Sequence, residues 1–361
     1  MSGRLLAAGF STRHIAASAR RAGYGVVAVD HFCDIDLEET VDSCLRFETL
    51  EELASIAARS AQEDGVEGFL AGSGAETLLL PVPLLGTSQA TAARFLDKGA
   101  TQSFFEALGV RAPLRLEPGT YPAMAKPLHG SGGWRNAVID SDTGLAAWTN
   151  LFPDQPFLLQ EVVAGVPASV SCIADGRRAI AIATNRQLLR GGSDMGYGFA
   201  GSVTPCDHPR AGEMAAIAEM IAGASGCIGT VGIDFVLPDE GEPVAIELNP
   251  RFQGTLETVE AATDENLVRL HLDACDGRLP GARPKARRYA ARRILFADSD
   301  LVVGSALSSL APAVADIPRP GTEIPTGSAV VSVRADGPTE RDALALLDKH
   351  ITGVRTYMER W

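Results

Sequence analysis

Two short segments bring together residue types that can do chemistry: Gly232-Ile233-Asp234-Phe235 and Ala245-Ile246-Glu247-Leu248-Asn249-Pro250-Arg251. Both are otherwise apolar and strand-like, and Asp239-Glu240-Gly241-Glu242 between them reads as a hairpin turn. Carboxylates on such strands are costly to bury unless something cationic faces them. Asp234 can sit opposite Glu247, and the period of two places Glu247, Asn249 and Arg251 on one face. Two carboxylates and an amide oxygen are hard ligands that suit one or two Mg²⁺ ions, with Mn²⁺ as a substitute, bridging nucleotide phosphates. Arg251 would then meet the phosphoryl group in transfer. The alternative is a structural hairpin in which Arg251 neutralises Asp234 and Glu247.

Lys126 ends a strand and is followed by Pro127-Leu128-His129-Gly130-Ser131-Gly132-Gly133-Trp134. Such a turn can present backbone N–H groups and the Ser131 hydroxyl to phosphate oxygens, with Lys126 as counter-charge; its alternative is an ordinary hairpin turn. No GxxxxGK[ST] is present, which excludes the usual P-loop. Gln160-Glu161-Val162-Val163 closes another strand ahead of Gly165 and suits backbone recognition of an adenine edge, or else is a plain β-edge. Lys98, beside Asp97, reads by itself as a solvated helix position.

Positioning these groups requires several units. Arg4–Ala8, a helix through about Arg21, and Gly25–Asp30 form a β-α-β opening; helix Leu50–Glu63 and strand Gly65–Ala71 extend it into a small parallel α/β domain. Strands over Tyr121–Lys126, Phe157–Val163, Ala168–Ala174 and Ala179–Thr184 follow, then a polar, glycine-rich stretch from Leu189 to Gly201 that reads as a mobile loop. Met214–Ala224 is an amphipathic helix, and strands Gly229–Leu237 and Pro243–Leu248 form the hairpin. Beyond Pro284 come strands Tyr289–Phe296 and Ser328–Arg334 and a helix from Thr339 to about Lys349.

In order, Lys98, Lys126 with its glycine loop, Glu161, Asp234 and Glu247-x-Asn249-x-Arg251 resemble the ATP-grasp superfamily over nearly the whole chain. The resemblance implies an α/β and α+β protein: a parallel α/β pre-ATP-grasp domain over residues 1–95, then a two-lobed ATP-grasp fold. Its nucleotide lobe with the glycine-rich loop would span 96–200, and its metal and substrate lobe with a C-terminal α+β segment 201–361. It assigns Lys98 and Lys126 to phosphates, Gly130 to Gly133 to a loop over them, and Glu161, Val162 and Val163 to adenine. Asp234, Glu247 and Asn249 go to magnesium, and Arg251 joins Lys126 as a catalytic group. The implied activity is ATP-dependent joining of a small carboxylate to an amine through an acyl phosphate. The family often has a ribose-binding acid after the adenine hinge, and Gly165-Val166-Pro167-Ala168-Ser169 has none. Gly9-Phe10-Ser11-Thr12-Arg13, Val29-Asp30-His31-Phe32 and Asn249 to Gly254 look like a branch of methanogens and methylotrophs. That implies cofactor biosynthesis, with glutamate and tyramine as a candidate pair.

Composition narrows the alternatives. A net charge of -13 repels nucleic acid, and the basic stretch Arg283 to Arg293 alternates with apolar residues like a solvated strand face. No apolar run spans a membrane. Six cysteines without CxxC spacing indicate neither a disulfide framework nor a structural metal, which fits a reducing cytoplasm. A homodimer is compatible with this reading. A nicotinamide oxidoreductase is disfavoured because the opening turn lacks GxGxxG. A carboxylase using carboxyphosphate shares the ATP half, and a non-catalytic nucleotide-binding protein shares the fold.

Overall fold

The computed structural model describes residues 3–130, 132–133, 135–191 and 196–361. The opening segment forms a four-stranded parallel sheet in which Arg4–Ala8 lies between Gly25–Asp30 and Gly68–Ala71, with Ser43–Arg46 at the edge. Its central strands are buried on both faces, which is why their sequences are continuous apolar runs rather than alternating ones. Thr12 precedes helix Arg13–Arg21 without capping it through its side chain. Its hydroxyl instead donates to Asp30 Oδ2 at 2.9 Å, tying the first turn to the end of the second strand.

A small antiparallel sheet contains Ala123–Pro127 between Ala137–Ile139 and Phe157–Glu161, with Arg115–Leu116 outermost. An eight-stranded antiparallel sheet then runs from hairpin Ile228–Leu237 and Val244–Asn249 through Val166–Asp175, Ala179–Leu189, Phe199–Thr204 and Tyr289–Phe296 to Ala329–Gly337 and Val314–Ala315. The protein is thus mixed α/β, parallel at its start and antiparallel beyond. The 200/201 boundary expected from sequence falls inside strand Phe199–Thr204, so residues on both sides of it share one sheet. Helix Ala211–Ser225 packs on this sheet and ends at Gly226, whose φ of 77° is the left-handed conformation that glycine adopts without steric cost.

Four sequence expectations need correction. The stretch 189–201 is not loop throughout: Leu189 ends one strand and Phe199 begins the next, and between them Arg190 N–H donates to Gly198 O at 2.8 Å and Gly191 N–H to Gly196 O at 3.2 Å. The part of that stretch at 192–195 lies outside the described residues, as do Ser131 and Trp134. The basic stretch is not uniformly solvated, because Arg292 is buried between Asp316, Ser332 and Gly254 O. Cys33 and Cys44 form a disulfide, with Cα atoms 6.2 Å apart, because parallel pairing of their strands brings Cys44 level with Ala28, near the turn holding Cys33. Finally, the last helix runs from Glu340 to Met358, well beyond Lys349.

Candidate active site

The acidic hairpin is built from side-chain alternation. Antiparallel register pairs Asp234 with Glu247 and Gly232 with Asn249, so both acids and the amide face one cavity of about 500 Å³. Asn249 Nδ2 donates to Asp234 Oδ2 at 3.2 Å, and Gln187 Nε2, two strands away across Val166–Asp175, donates to Asp234 Oδ1 at 2.7 Å. Burial and the nearby Glu247 push the Asp234 carboxyl up to about 7, against the pull of Arg251 and the two amide donors. A buried pair of acids of this kind is stabilised by a cation.

Arg251 departs from its expected place. The strand ends at Asn249, Arg251 N–H donates to Asn249 O at 3.0 Å, and the side chain follows a bend rather than the strand alternation. Its Nη2 still reaches Asn249 Oδ1 at 3.1 Å, but its ion partner is Glu76, at 2.7 Å from Nε. Among the described residues it forms no direct ion pair with Asp234 or Glu247, and acts on Asp234 only through its charge.

Both lysines converge on the same acids. Lys126, in the small sheet, is 8% exposed, and burial lowers its ammonium to about 8 despite Glu247, with Lys98 adding repulsion. Lys98 starts helix Lys98–Ala107 rather than lying on a solvated face. Its Nζ stands 3.4 Å from Glu247 Oε1 and donates to Gly130 O at 2.5 Å, linking the acidic hairpin to the glycine loop. In that loop Gly132 O accepts from Phe199 N–H at 3.2 Å. A Cβ on Gly133, where φ is 70°, would lie 2.5 Å from Tyr197 O, so the close approach of loop and strand requires glycine there. Glu161, Val162 and Val163 line the opposite wall beside Met124 and Pro113. The Glu161 carboxylate lies 3.8 Å from an Arg111 nitrogen.

The structure therefore gathers Lys126, Gly132, Gly133, Glu161 to Val163, Asp234, Glu247, Asn249 and Arg251 around one cavity, with Lys98 and Gly130 joined to it by contact. Sequence reasoning missed Glu76, Gln187 and Gln253. Only Glu76 carried a local signal: an acid just past a parallel strand, at the end of the sheet where α/β proteins bind ligands. Among the described residues no group of three or more His, Cys, Asp or Glu could hold a metal. Two carboxylates plus an amide oxygen nevertheless fit Mg²⁺, which takes few protein ligands when phosphates supply the rest. Asp30 is unavailable to a ribose, since it accepts from Thr12, Phe32 and Cys33 amides and is buried. No helix among the described residues is long and apolar enough to cross a membrane.

Comparison with known proteins bears on this arrangement. An uncharacterized protein of Methanocaldococcus jannaschii, MJ0776, is 27% identical over 217 residues, covering 58% of this chain and 50% of that protein. The chain thus matches about half the length of this curated relative. The L-amino acid ligase from Bacillus licheniformis superposes with a TM-score of 0.74 at 16% identity, covering 98% of this chain and 97% of that one. The biotin carboxylase domain of Hydrogenobacter thermophilus 2-oxoglutarate carboxylase, described as a dimer in complex with MgADP and bicarbonate, gives 0.77 at 14% identity, covering 97% and 89%. Residues 95–255 match the ATP-grasp domain family. They include both lysines, the glycine loop and the acidic hairpin, so the stretch that carries the site is the stretch that matches an ATP-grasp domain in sequence, and the chain shares its fold with these solved structures.

Proposed function

We propose that the protein is an ATP-dependent carboxylate–amine ligase. The observation that carries this reading is the convergence of Lys98, Lys126, Asp234, Glu247, Asn249 and Arg251 from two sheets and a helix start on one cavity beside a glycine loop. Lys98 and Lys126 hold ATP phosphates, Gly130 to Gly133 cover them with backbone N–H groups, and Glu161, Val162 and Val163 meet the adenine edge. Asp234, Glu247 and Asn249 would hold Mg²⁺ or Mn²⁺, which when bound neutralises phosphate charge.

In the reaction, a substrate carboxylate oxygen bonds to the γ-phosphorus as the β–γ bridge breaks and ADP departs. Arg251 stabilises the charge on the phosphoryl oxygens. The amine then attacks the acyl carbon, forming the C–N bond and releasing phosphate. Glutamate and tyramine are the candidate pair, in cofactor biosynthesis in the cytoplasm. Homodimeric assembly is supported by the dimer described for the Hydrogenobacter domain. The division into residues 1–95, 96–200 and 201–361 belongs to the same proposal.

A carboxylase using carboxyphosphate is the second reading, favoured by the likeness to a biotin carboxylase domain recorded with bicarbonate. A matrix of carboxylate and amine pairs, scored for ADP and phosphate release, separates the two. Ligation requires product formation dependent on both partners, whereas bicarbonate-dependent release without an amine supports the carboxylase. Absence of saturable MgATP binding by the folded protein in calorimetry would overturn both.

A further inference from the structure

The ion partner of Arg251 comes from outside the ATP-grasp domain. Glu76 lies just past strand Gly68–Ala71 of the parallel sheet, its side chain is 5% exposed, and both its oxygens are engaged. Oε1 accepts from Arg251 Nε and Oε2 from Gly74 N–H, each at 2.7 Å. The turn holding it is itself anchored, since Phe10 N–H donates to Ser73 O at 2.8 Å. Nη1 of Arg251 donates to Phe252 O at 3.2 Å and Nη2 to Asn249 Oδ1 at 3.1 Å. A guanidinium has five N–H donors, so one remains on each terminal nitrogen.

Asn249 touches both Arg251 and Asp234, yet the guanidinium does not pair with either hairpin acid. Without a fixed competitor, a mobile guanidinium this close would fold onto the carboxylates by simple Coulomb attraction. We propose that Glu76 is a positioning residue that withholds Arg251 from Asp234 and Glu247, leaving those acids to a divalent cation and the two spare N–H groups to the reacting phosphoryl oxygens. The proposal rests on the ligase reading given above. Because Glu76 sits on the turn that follows an edge strand of the parallel sheet, the arginine is aligned only while that sheet is docked on the ATP-grasp domain.

The test is Mn²⁺ binding in the presence of ADP, followed by the electron paramagnetic resonance of free Mn²⁺, with no catalytic turnover required. Glu76→Gln should weaken Mn²⁺ binding about 10- to 100-fold, the usual effect of losing a partner that orients a metal site. Adding Arg251→Gln to that variant should restore affinity to near the wild-type value, because the competing cation is then gone. A purely structural Glu76 predicts no such recovery. Wild-type affinity in Glu76→Gln, or no recovery in the double variant, overturns the proposal alone. Failure of the wild type itself to bind Mn²⁺ with ADP overturns the ligase reading as well. Should Glu76→Gln not fold, Glu76→Asp keeps the charge but draws it back by one methylene. It should bind Mn²⁺ measurably more weakly than wild type, and equal binding overturns the proposal.

Discussion

Arg251 and Glu247 line the same cavity but answer to different tests. Glu247 faces Asp234, and their mutual repulsion is part of what holds the Asp234 carboxyl near 7. Glu247→Gln keeps the side chain's shape and removes one of two like charges, so folding stability should hold or rise while turnover falls by about two orders of magnitude. Urea denaturation beside a turnover assay checks this. Loss of several kcal/mol of stability with activity intact would mean that the acid serves the hairpin instead. Arg251→Lys retains one charge but loses the planar fork that lets Nε reach Glu76 while Nη2 reaches Asn249. Its kcat should drop about a hundredfold with MgATP affinity little changed. If nucleotide binding weakens and kcat survives, the arginine binds ATP rather than stabilising the transfer.

At the scale of elements, the site depends on how a loop and two strands approach one another. Gly132 and Gly133 lie against Tyr197 and Phe199 closely enough that the Phe199 amide is satisfied by the loop. A methyl group at Gly133 meets both a carbonyl at 2.5 Å and a left-handed backbone, costing about 1–3 kcal/mol locally. Gly133→Ala should therefore pull loop and strand apart, speed exchange of the Phe199 amide and weaken MgATP binding about tenfold or more. Hydrogen exchange and calorimetry read the two effects, and an unchanged Phe199 amide would sink the idea. The same scale explains what the sequence made legible. The hairpin could be read because alternation and a turn fix Asp234 against Glu247 locally, and Tyr289–Phe296 because its pattern and boundaries are self-contained. Carrying the strand alternation through Pro250 misplaces Arg251, because the strand ends at Asn249. The place of Glu76 at a strand end is legible, but its pairing with Arg251 is not, because the two stand 175 positions apart. Helices Leu256–Thr263 and Leu267–Cys275 escaped because their Thr and His positions are buried by partners distant in sequence.

For the whole molecule, one buried ionic knot ties the units together. Arg13, from the first helix, donates to both Glu257 oxygens and to Asp316, while Arg292 binds Asp316 and Arg334 binds Glu257. Burial opposes ionisation of Glu257 and Asp316, yet the arginines hold both carboxyls well below the usual range. A group depressed in the folded state contributes stability above its unfolded pKa and loses it only as pH falls through the folded value, so the knot survives mild acid. Removing one partner should be severe: Glu257→Gln leaves three arginines undercompensated and should cost about 3–5 kcal/mol in urea denaturation, and a cost below about 1 kcal/mol would show the knot to be dispensable. Mild acid acts instead on buried histidines, on His14 beside the knot, lowered to about 4 by burial and by Arg292 and Arg13, and on His271. Its Nδ1 accepts from Thr230 N–H at 2.9 Å and Nε2 lies 2.7 Å from Leu85 O, which fixes a neutral ring with its proton on Nε2. Burial lowers its pKa from 6.5 to about 4, with the Leu85 contact opposing. Between those values the unfolded chain binds a proton that the folded chain refuses, so stability falls as pH drops from about 6.5 to about 4. The shift corresponds to about 3 kcal/mol for this one ring. His271→Gln offers an acceptor and a donor without titrating, so its urea midpoint should fall less than the wild type's between pH 7 and 4.5. Parallel profiles for the two proteins would show that the ring takes up its proton in place, and that acid sensitivity in this range arises elsewhere in the fold.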